Sequence, residues 1–539
     1  MTPRQPSATR VLVCDELDPI ALEELRAKGF EPEVRTGLTE DELVQTVPGV
    51  HALLVRSATK VTARVLEAAD ILELIGRAGV GVDNVDVPAA TARGVVVMNT
   101  PTGNTVTTAE LAISLICALA RHLPRADRTV RAGTWSKKGL MGTELTGKTL
   151  GVIGLGRIGA EVARRGQGLC MHVVGSDPYL SGTGASSPVQ GVDLVELDDL
   201  LEQADIVTLH VPLLDSTRGL IGPEQIARMK PGARIVNAAR GGLIDEAALL
   251  SALESGHLAG AALDVFTEEP PTAEHPLLQR DEVIATPHLG ASSKEAQRNV
   301  AVQVAQQTAT FFLDGVAQNA INLPALSPAE RRALAPWVQL ATSVGRYLAA
   351  RAEAPIAKLE ISILGDATKH SADHMQRALL TGMLSQSLDI GVNLVNAPQL
   401  AEERGVRILS RSSDDAESFT GLLRVRATSK GAGESHLVAG TVFGDKPRFV
   451  RVDGVHVDLN PTGPMLVTRH HDRPGVLGAI GTALGASGVN IRRVELGPPS
   501  AMNEGLASAF LSLYERAGDE AMESIAALDP VVSVNQVEL

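Results

Sequence analysis

Short apolar runs alternate with amphipathic segments over the first hundred residues. Four runs have the length and flanking turns of buried strands, RVLVCDE, HALLVRS, LELIGRAG and GVVVMNT, and segments such as DPIALEELRAKG separate them at helical spacing. Strands that alternate with helices are typical of βαβ units around a parallel sheet. The pattern therefore predicts an α/β lobe at the start of the chain.

A second βαβ series follows a long apolar helix that the spacing predicts from Asn104 to Leu123, with Asn104 or Thr105 as its N-cap. The predicted strands of this series are HVVGSD, DIVTLHVP, ARIVNAAR, AGAALDVF and VIATPHLG. The helix SSKEAQRNVAVQVAQQTATFFLDG and the proline-bearing linker AINLPALSPAE come next. Because the first lobe lacks a closing helix, we expect this helix to cross back and pack on it. The first lobe then comprises residues 1–103 and 298–326, and residues 104–297 are inserted into it.

The pattern changes after the linker. A helix, HMQRALLTGMLSQSL, precedes strands that alternate as half-exposed strands do, GLLRVRATS, HLVAGTVFG, RFVRVDG and HVDL, and predicts an α+β domain over 327–460. From 463 to 539 the predicted order is βαββαβ, which is ferredoxin-like. The fold class is therefore α/β, with two doubly wound Rossmann/flavodoxin-like lobes followed by an α+β domain and a small βαββαβ domain.

Composition and charge exclude several functions. A chain of 539 residues is too long for one core. Aromatic residues make up only 2%, so stacking platforms for bases are not expected. The formal net charge of -14 disfavours nucleic acid and anionic membranes as partners. Any anionic substrate must therefore meet a local group of arginines and lysines.

The cysteines and the N-terminus bear on location. Cys14, Cys117 and Cys170 lie far apart in apolar segments, without CxxC or metal-ligand spacing, so we expect small core residues in a reducing cytosol and no metal site. The N-terminus lacks an apolar signal-peptide core, and no run reaches about 18 apolar residues. These features predict a cytoplasmic, soluble protein.

A glycine fingerprint, GVIGLGRIGAEV, opens the second lobe. Gly154 allows a tight turn, Gly156 lets the main chain approach a pyrophosphate, and Gly159 lets helix and strand pack closely. The following strand ends at Asp177, whose carboxylate fits a ribose 2′-hydroxyl and repels a 2′-phosphate. The pattern predicts NAD as cofactor. The alternative is a glycine-rich turn with an ordinary strand-end aspartate.

Three polar residues follow strands on the predicted cofactor side of the sheet, Arg240, Glu269 and His288. Oxidation of a hydroxyl group needs a base for the proton and a cation for the substrate's carboxylate. We expect His288 to take the proton, Glu269 to hold the imidazole, and Arg240 to grip carboxylate and hydroxyl oxygens with its planar fork. Taken singly, a histidine at a strand end is more often a structural residue, and Glu269 or Arg240 is compatible with a solvated charge. Together with the glycine fingerprint, a coincidence of all three is improbable.

The strings GVIGLGRIG, NAARGGLIDEAAL, GAALDVFTEEP and TPHLGAS resemble the D-isomer-specific 2-hydroxyacid dehydrogenases, and the whole chain resembles the long-type D-3-phosphoglycerate dehydrogenases. This resemblance implies NAD-dependent oxidation of 3-phosphoglycerate to 3-phosphohydroxypyruvate, the first step toward serine. It also implies a homo-oligomer, most often a tetramer, with an intervening, allosteric substrate-binding domain over 327–460 and an ACT regulatory domain over 463–539.

The resemblance implies further site residues. Those expected to contact the cofactor are Gly154, Gly156, Arg157, Ile158, Gly159, Asp177, Ala238, Ala239, Arg240, Asp264, His288 and Gly290. Those expected to contact the substrate are Arg56, Ser57, Gly79, Val80, Gly81, Asn104 and Arg240. Arg56 is the candidate for the phosphate, and residues 79–81 form an anion-binding nest of N–H groups. Basic residues that a neighbouring subunit would contribute are Arg131, Lys137 and Lys138, the alternative being a solvated basic stretch.

The C-terminal string HDRPGVLGAIGTALGASGVNI resembles the effector-binding part of an ACT domain. Asp472 is implied to bind the ammonium group of serine, and Asn490, across a two-fold interface, its carboxylate or side chain. His470 and His471 stand where a relative has a tyrosine in this site. In the preceding domain, Lys446, Arg448 and Arg451 are basic candidates for an anion, the alternative being a solvated strand face.

Two other functions share this fold. One is a hydroxypyruvate or glyoxylate reductase, whose chains usually end near the return helix. The other is a non-enzymatic, NAD-sensing corepressor, which needs a groove or tail for a partner. The roughly 210 residues after the linker disfavour the first, and an amino-acid-binding tail disfavours the second.

Overall fold

The computed structural model of the chain describes residues 4–181, 186–388, 391–431, 435–499 and 505–539. Its strands form four sheets of five, seven, six and four strands. The first two sheets are parallel throughout, and the last two contain mainly antiparallel pairs. The predicted α/β class is confirmed, with two parallel-sheet lobes followed by a mixed-sheet domain and a βαββαβ domain.

The first lobe has the sheet order β2-β1-β3-β4-β5. Its elements are β1 (Val11–Val13), α1 (Ile20–Ala27), β2 (Glu33–Val34), α2 (Glu40–Thr46), β3 (Ala52–Val55), α3 (Ala63–Ala68), β4 (Leu74–Arg77), α4 (Val87–Ala92) and β5 (Val96–Asn99). The two-residue strand β2 was not predicted, because Glu33 and Val34 carry no apolar run. Thr39 begins α2 with a capping box in which Glu42 bonds back to the Thr39 N–H.

The second lobe has the sheet order β12-β11-β10-β9-β6-β7-β8. Its elements are α5 (Thr105–Ala120), α6 (Leu123–Arg131), β6 (Thr149–Ile153), α7 (Arg157–Gly168), β7 (His172–Ser176), α8 (Pro178–Ser181), β8 (Asp193–Leu194), α9 (Leu197–Gln203), β9 (Ile206–Leu209), α10 (Pro223–Arg228), β10 (Ala233–Asn237), α11 (Glu246–Glu254), β11 (Leu258–Leu263) and β12 (Val283–Ala285). The long helix predicted from Asn104 ends at Ala120, because His122 adopts a left-handed conformation with φ of 53° and Pro124 starts a new helix.

Helix α12 (Lys294–Asp314) returns to the first lobe, as the sequence predicts. Val300, Val304 and Phe312 lie in the core that this helix shares with the first sheet. Of the predicted core cysteines, Cys14 is buried, whereas Cys170 is exposed at a turn with φ of 59°, so that expectation was wrong for Cys170.

The third domain has the sheet order β14-β13-β15-β16-β17-β18. Its elements are α13 (Pro328–Arg351), β13 (Ile356–Gly365), α14 (Ala372–Leu384), α15 (Ala397–Glu403), β14 (Arg407–Ser413), β15 (Gly421–Ser429), β16 (Ser435–Phe443), β17 (Lys446–Val452) and β18 (Val455–Leu459). The last part of the predicted linker is instead the start of α13. Ser327 and Glu330 form a capping box there, a signal that the prolines obscured.

The fourth domain has the order β20-β21-β19-β22, which is that of a ferredoxin-like sheet. Its elements are β19 (Pro464–His470), α16 (Val476–Ala486), β20 (Ile491–Gly497), β21 (Ala507–Leu513), α17 (Asp519–Ala526) and β22 (Val531–Glu538). Helix α13 touches this domain at its far end, where Arg351 donates a hydrogen bond to Asn535 on β22. The third and fourth domains also share one hydrophobic core, which includes Phe449 and Phe510.

In the part of the chain that the structure describes, no single helix is both long and apolar enough to cross a membrane. Helices α5 and α6 pass that test only as a pair, and they are bent by 63° where they meet.

Two glycines set the distance between α13 and α14. A Cβ atom on Gly345 would lie 2.0 Å from the carbonyl oxygen of Leu379, and a Cβ atom on Gly382 would lie 2.0 Å from that of Thr342. The two helix main chains are therefore in direct contact, which only glycine permits at these positions.

Replacing Gly345 by Ala should lower the stability of the third domain by about 1–3 kcal/mol, because the added methyl group must push the helices apart. Differential scanning calorimetry measures this as a lower transition temperature. Gly481→Ala on α16 is the matched control, since no atom lies within 4 Å of its Cβ position. The control should be neutral or stabilising by about 0.5–1 kcal/mol through helix propensity. Equal melting of Gly345→Ala and the unchanged protein would contradict the close packing.

Candidate active site

The glycine turn after β6 has the geometry of an anion-binding helix start. Gly154 has a φ of 88°, and a Cβ atom on Gly159 would lie 1.8 Å from the Gly154 carbonyl oxygen. At Gly156 the Cβ position faces open space, with no atom within 4 Å. No side chain caps the N-terminus of α7, where the exposed Arg157 and half-buried Ile158 form the first turn. The N–H groups of this turn therefore remain available to an anion.

Asp177 follows β7 and faces the same turn. One carboxylate oxygen accepts a hydrogen bond from the Leu155 N–H at 3.0 Å, and the other accepts one from the Tyr179 N–H at 3.0 Å. The carboxylate thus holds the glycine turn while lying where a ribose hydroxyl would bind. These features fit a dinucleotide, since Gly156 leaves open the space that a Cβ would fill.

His288 and Glu269 meet beyond the ends of β12 and β11. The Nδ1 atom of His288 lies 2.8 Å from Oε2 of Glu269, and Oε1 of Glu269 accepts a hydrogen bond from the Phe266 N–H at 3.1 Å. Their side chains are 49% and 37% exposed, so the pair stands in an open cleft. A cavity of about 500 Å³ beside them is also lined by Asp264 and Pro287.

Asp264 positions the segment that carries His288. One of its oxygens accepts hydrogen bonds from the Thr286 hydroxyl at 2.5 Å and the Leu289 N–H at 2.7 Å, and the other accepts one from the Gly290 N–H at 2.9 Å. Asp264 is buried, and burial raises the pKa of its carboxyl group. The His288 main chain has a φ of 54°, an uncommon conformation that this network imposes. The predicted contact of Asp264 with the cofactor remains a prediction.

Asn237 shapes the loop that carries Arg240. Its side chain accepts a hydrogen bond from the Ala239 N–H at 3.0 Å and donates one to the Arg240 carbonyl at 2.8 Å, while Ala238 is buried beside it. The guanidinium of Arg240 crosses the cleft to the first lobe, where its Nε lies 3.1 Å from Oδ2 of Asp83. Arg240 therefore links the two lobes at the site.

The loop from Gly79 to Gly81 lies between two arginines. A Cβ atom on Gly79 would lie 1.4 Å from Nη1 of Arg77, and one on Gly81 would lie 1.8 Å from Nη2 of Arg240. Each guanidinium therefore packs directly on a glycine. Within the described residues, the N–H groups of Val80 and Gly81 have no hydrogen-bond acceptor, which suits the predicted anion nest.

Arg77 is a site residue that the sequence analysis missed. Its Nε is buried without a hydrogen-bond partner in the described chain, and burial followed by the charge of nearby Arg240 lowers its pKa to about 10, so it stays charged at neutral pH. Arg77 ends strand β4, and the strand-end rule that identified Arg240 also applies to it. Asp83, Asn237 and Thr286 were missed because each acts through another residue.

The other predicted substrate residues lie around the same cleft. Arg56 follows β3, and its Nη1 donates to the Glu16 carbonyl at 3.2 Å. Ser57 beside it is exposed. Asn104 precedes α5 without capping it, and its buried Oδ1 has no hydrogen-bond donor among the described residues. An amide with a free acceptor is suited to a ligand hydroxyl.

Only some of the residues predicted to bind the effector lie in the same place. Asp472 and His470 line a cavity of about 390 Å³ between α16 and the ends of β20 and β21, whereas Asn490 and the exposed His471 do not line it within this chain. His470 is buried, its Nδ1 lacks a partner within the described residues, and burial lowers its pKa.

Two predicted basic groups are on the surface. Arg131 is paired with Asp127, and the segment with Lys137 and Lys138 also carries Trp135 and Met141, both 89% exposed. In the third domain Arg448 is paired with Asp458, and Arg451 with Glu417. Lys446 begins strand β17 and is exposed.

The sequence matches three domain families in order. Residues 113–290 match the NAD binding domain of the D-isomer specific 2-hydroxyacid dehydrogenases, residues 333–453 match the D-3-phosphoglycerate dehydrogenase intervening domain, and residues 465–502 match the ACT domain. These matches agree with the glycine turn, the mixed sheet and the βαββαβ domain, and they support NAD as the cofactor of an oxidoreductase.

Named relatives match this chain over nearly its full length. The chain is 41% identical over 530 residues to D-3-phosphoglycerate dehydrogenase of Archaeoglobus fulgidus. The alignment covers 98% of this chain and 100% of the relative. The chain is 40% identical over 539 residues to the Bacillus subtilis enzyme of the same name, with 98% and 99% covered. A solved glyoxylate reductase from Paecilomyes thermophila is 30% identical with a TM-score of 0.53, but covers 59% of this chain and 99% of its own. The chain thus belongs to the D-3-phosphoglycerate dehydrogenase family and is an NAD-dependent oxidoreductase.

Proposed function

We propose that the chain oxidises 3-phospho-D-glycerate to 3-phosphohydroxypyruvate with NAD, the first step of the phosphorylated route to serine. The observation that carries this proposal is the His288–Glu269 pair, which stands in an open cleft, together with a cluster of arginines in which Arg77 lies close to Arg240 and Arg56. Arg56, Arg77 and Arg240 supply the local positive charge that a phosphorylated carboxylate requires in a chain of net charge -14.

The residues divide the work of the reaction. Glu269 holds Nδ1 of His288, which leaves Nε2 free to take the proton of the substrate's 2-hydroxyl group. Arg240 and the free N–H groups of Val80 and Gly81 bind and orient the carboxylate. When bound, NAD supplies the acceptor for the hydride that leaves the same carbon. Arg56 and Arg77 are suited to the phosphate, which anchors the far end of the substrate.

A glyoxylate or hydroxypyruvate reductase is the second enzyme function considered. The solved glyoxylate reductase covers only 59% of this chain, whereas the D-3-phosphoglycerate dehydrogenase of Archaeoglobus fulgidus covers 98% of it. The corepressor function has no support from the named relatives. We therefore retain the phosphoglycerate assignment alone.

Regulation, assembly and location are further parts of the proposal. The cavity at Asp472 in the ACT domain supports serine as a feedback effector. The exposed Trp135 and Met141 support a homo-oligomer, a tetramer in our proposal, in which Arg131, Lys137 and Lys138 reach a neighbouring active site. The three free cysteines agree with a cytoplasmic location.

The enzyme should use 3-phosphoglycerate with a far higher kcat/KM than glycerate. Arg56→Gln should reduce the ratio of the two kcat/KM values about tenfold or more, because a hydrogen bond between charged groups contributes about 1.5–3 kcal/mol. Arg64→Gln is the matched control in the same lobe, where Arg64 pairs with Asp41 at the surface. Steady-state assays with both acids measure the effect. Better turnover of glycerate or glyoxylate would refute the substrate assignment.

His288→Ala should lower kcat by about 10²–10⁴-fold, since it removes the proton acceptor. Glu269→Gln should lower it less, by about 10²-fold, because an amide still reaches Nδ1 but carries no charge. The neighbouring exposed Glu268→Gln is the control and should leave kcat unchanged. NADH binding, followed by fluorescence, should be retained in all three variants. Retained turnover in His288→Ala would remove its assigned role.

Serine should inhibit the initial rate, and Asp472→Asn should raise the inhibition constant at least about tenfold, because a charged partner of the ammonium group is lost. Glu523→Gln, an exposed acid on α17 of the same domain, serves as the control. The measurement is a serine titration of the initial rate. Absence of inhibition at millimolar serine would reject serine as effector without affecting the catalytic assignment.

A further inference from the structure

A buried carboxylate that the sequence analysis did not single out lies against the loop that carries Arg56. Asp15 follows strand β1 and is only 6% exposed. Strand β1 lies beside β3 in the first sheet, with Val13 paired to Leu54, and Arg56 follows β3. Because the two strands are parallel, the segments that carry Asp15 and Arg56 leave the sheet at the same edge, next to each other.

Asp15 binds the main chain of this loop. Its Oδ2 accepts a hydrogen bond from the Arg56 N–H at 2.5 Å, and its Oδ1 accepts one from the Thr59 hydroxyl at 2.7 Å. Both oxygens also lie 3.2 Å from the Thr59 N–H. The carbonyl of the next residue, Glu16, accepts a hydrogen bond from Nη1 of Arg56 at 3.2 Å. One short segment thus holds both the main chain and the guanidinium of Arg56.

Asn84 holds the carbonyl groups of the same loop. Its Nδ2 donates to the Arg56 carbonyl and to the Thr59 carbonyl, both at 2.6 Å. Asn84 lies three residues after the anion nest of residues 79–81, and its own carbonyl accepts a hydrogen bond from the Val61 N–H at 2.8 Å. Asn84 therefore ties the loop that carries Arg56 to the loop that carries the nest.

The charge of Asp15 by itself opposes the binding of an anionic substrate. Burial, followed by the charge of Arg240, lowers the pKa of Arg77. The charges of Asp83 and Asp15 act in the opposite direction, so Asp15 lies within electrostatic reach of these arginines. A carboxylate at that distance repels a phosphate or a second carboxylate. The contribution of Asp15 that favours the substrate is therefore its hold on the loop.

We propose that Asp15 and Asn84 are positioning residues that fix Arg56 at the distance from the anion nest that 3-phosphoglycerate requires. This inference rests on the proposed function, and it assigns to the two residues the preference for the phosphorylated acid. A substrate whose carboxylate lies in the nest brings its phosphate to Arg56 only if the two loops keep their spacing. Misplacement by about 1 Å is enough to lower a rate about 10²-fold. Asp15 and Asn84 act through the main chain of Arg56 rather than by contact with the substrate.

The test compares kcat/KM for 3-phosphoglycerate with kcat/KM for D-glycerate in Asp15→Asn and Asn84→Ala. Asp15→Asn should lower the ratio of the two values about tenfold through a higher KM for the phosphorylated acid, although the change removes a repelling charge. Asn84→Ala should lower the ratio by about the same factor, because both loop carbonyls lose their donor. The value for D-glycerate should stay within about twofold in both variants, since the His288–Glu269 pair and the nest are unchanged.

Combination with Arg56→Gln separates positioning from a general loss of structure. If Asp15 acts through Arg56, adding Asp15→Asn to Arg56→Gln should change the ratio by no more than about twofold further. The matched control is Asp86→Asn, two residues after Asn84, because Asp86 caps α4 at the Ala89 N–H and asparagine caps equally well. It should leave the ratio unchanged. Melting temperatures check that each variant is folded, and Asn84→Ala decides the question if Asp15→Asn does not fold.

An unchanged ratio in the folded variants would overturn the proposal, and so would an equal loss for both acids. A further tenfold loss when Asp15→Asn is added to Arg56→Gln would overturn it as well. A higher ratio in Asp15→Asn would show that the charge of Asp15, and not its hydrogen bonds, acts on the substrate, which also contradicts the proposal. Preference of the unchanged protein for D-glycerate is a different result, because it would refute the proposed function and this inference with it.

Discussion

The buried carboxylate of Asp264 is the constraint on which the active-site geometry depends. Its three hydrogen bonds hold the segment from Thr286 to Gly290 in place, and they fix the left-handed main chain of His288. Without that hold, the imidazole has no reason to face Glu269, because a residue with a side chain disfavours positive φ. The carboxylate stays in a buried position that raises its pKa, and this cost is offset by two N–H donors and one hydroxyl donor. A residue outside the His288–Glu269 pair thereby sets the geometry of that pair.

Two glycines leave space for the guanidinium groups of the arginines in the cleft. Gly79 and Gly81 allow the guanidinium groups of Arg77 and Arg240 to lie directly on the main chain, and the N–H groups of Val80 and Gly81 have no acceptor among the described residues. Asp83 compensates part of this positive charge and joins the lobes through Arg240. The site therefore combines positive charge from both lobes.

The sequence predicted those features of the fold and the site that depend on a local pattern of residue types. Alternating apolar runs predicted both parallel sheets, and the glycine spacing predicted the turn before α7, because φ and close approach restrict those positions to glycine. Strand-end position predicted Arg240, Glu269 and His288, and the structure brings the last two into contact. It did not reveal Asp83 or the positioning role of Asp264, since these depend on contacts between segments far apart in the chain. Helix α13 was missed for a local reason, because the prolines around its capping box favoured a linker.

Helix α13 has a mechanical consequence. Its 24 residues span about 36 Å, and it begins directly after the segment that leaves the catalytic lobes and ends at the hydrogen bond between Arg351 and Asn535. The tight glycine contacts with α14 hold it at Thr342 and Gly345, whereas Pro336 lies inside the helix nearer its start. Because a proline removes a main-chain hydrogen bond, any bend of α13 is expected at Pro336, and a tilt of the C-terminal sheet moves the part of the helix from there to Arg351 as one piece. The catalytic lobes and the ACT domain are thus joined by a lever arm rather than by a flexible tether.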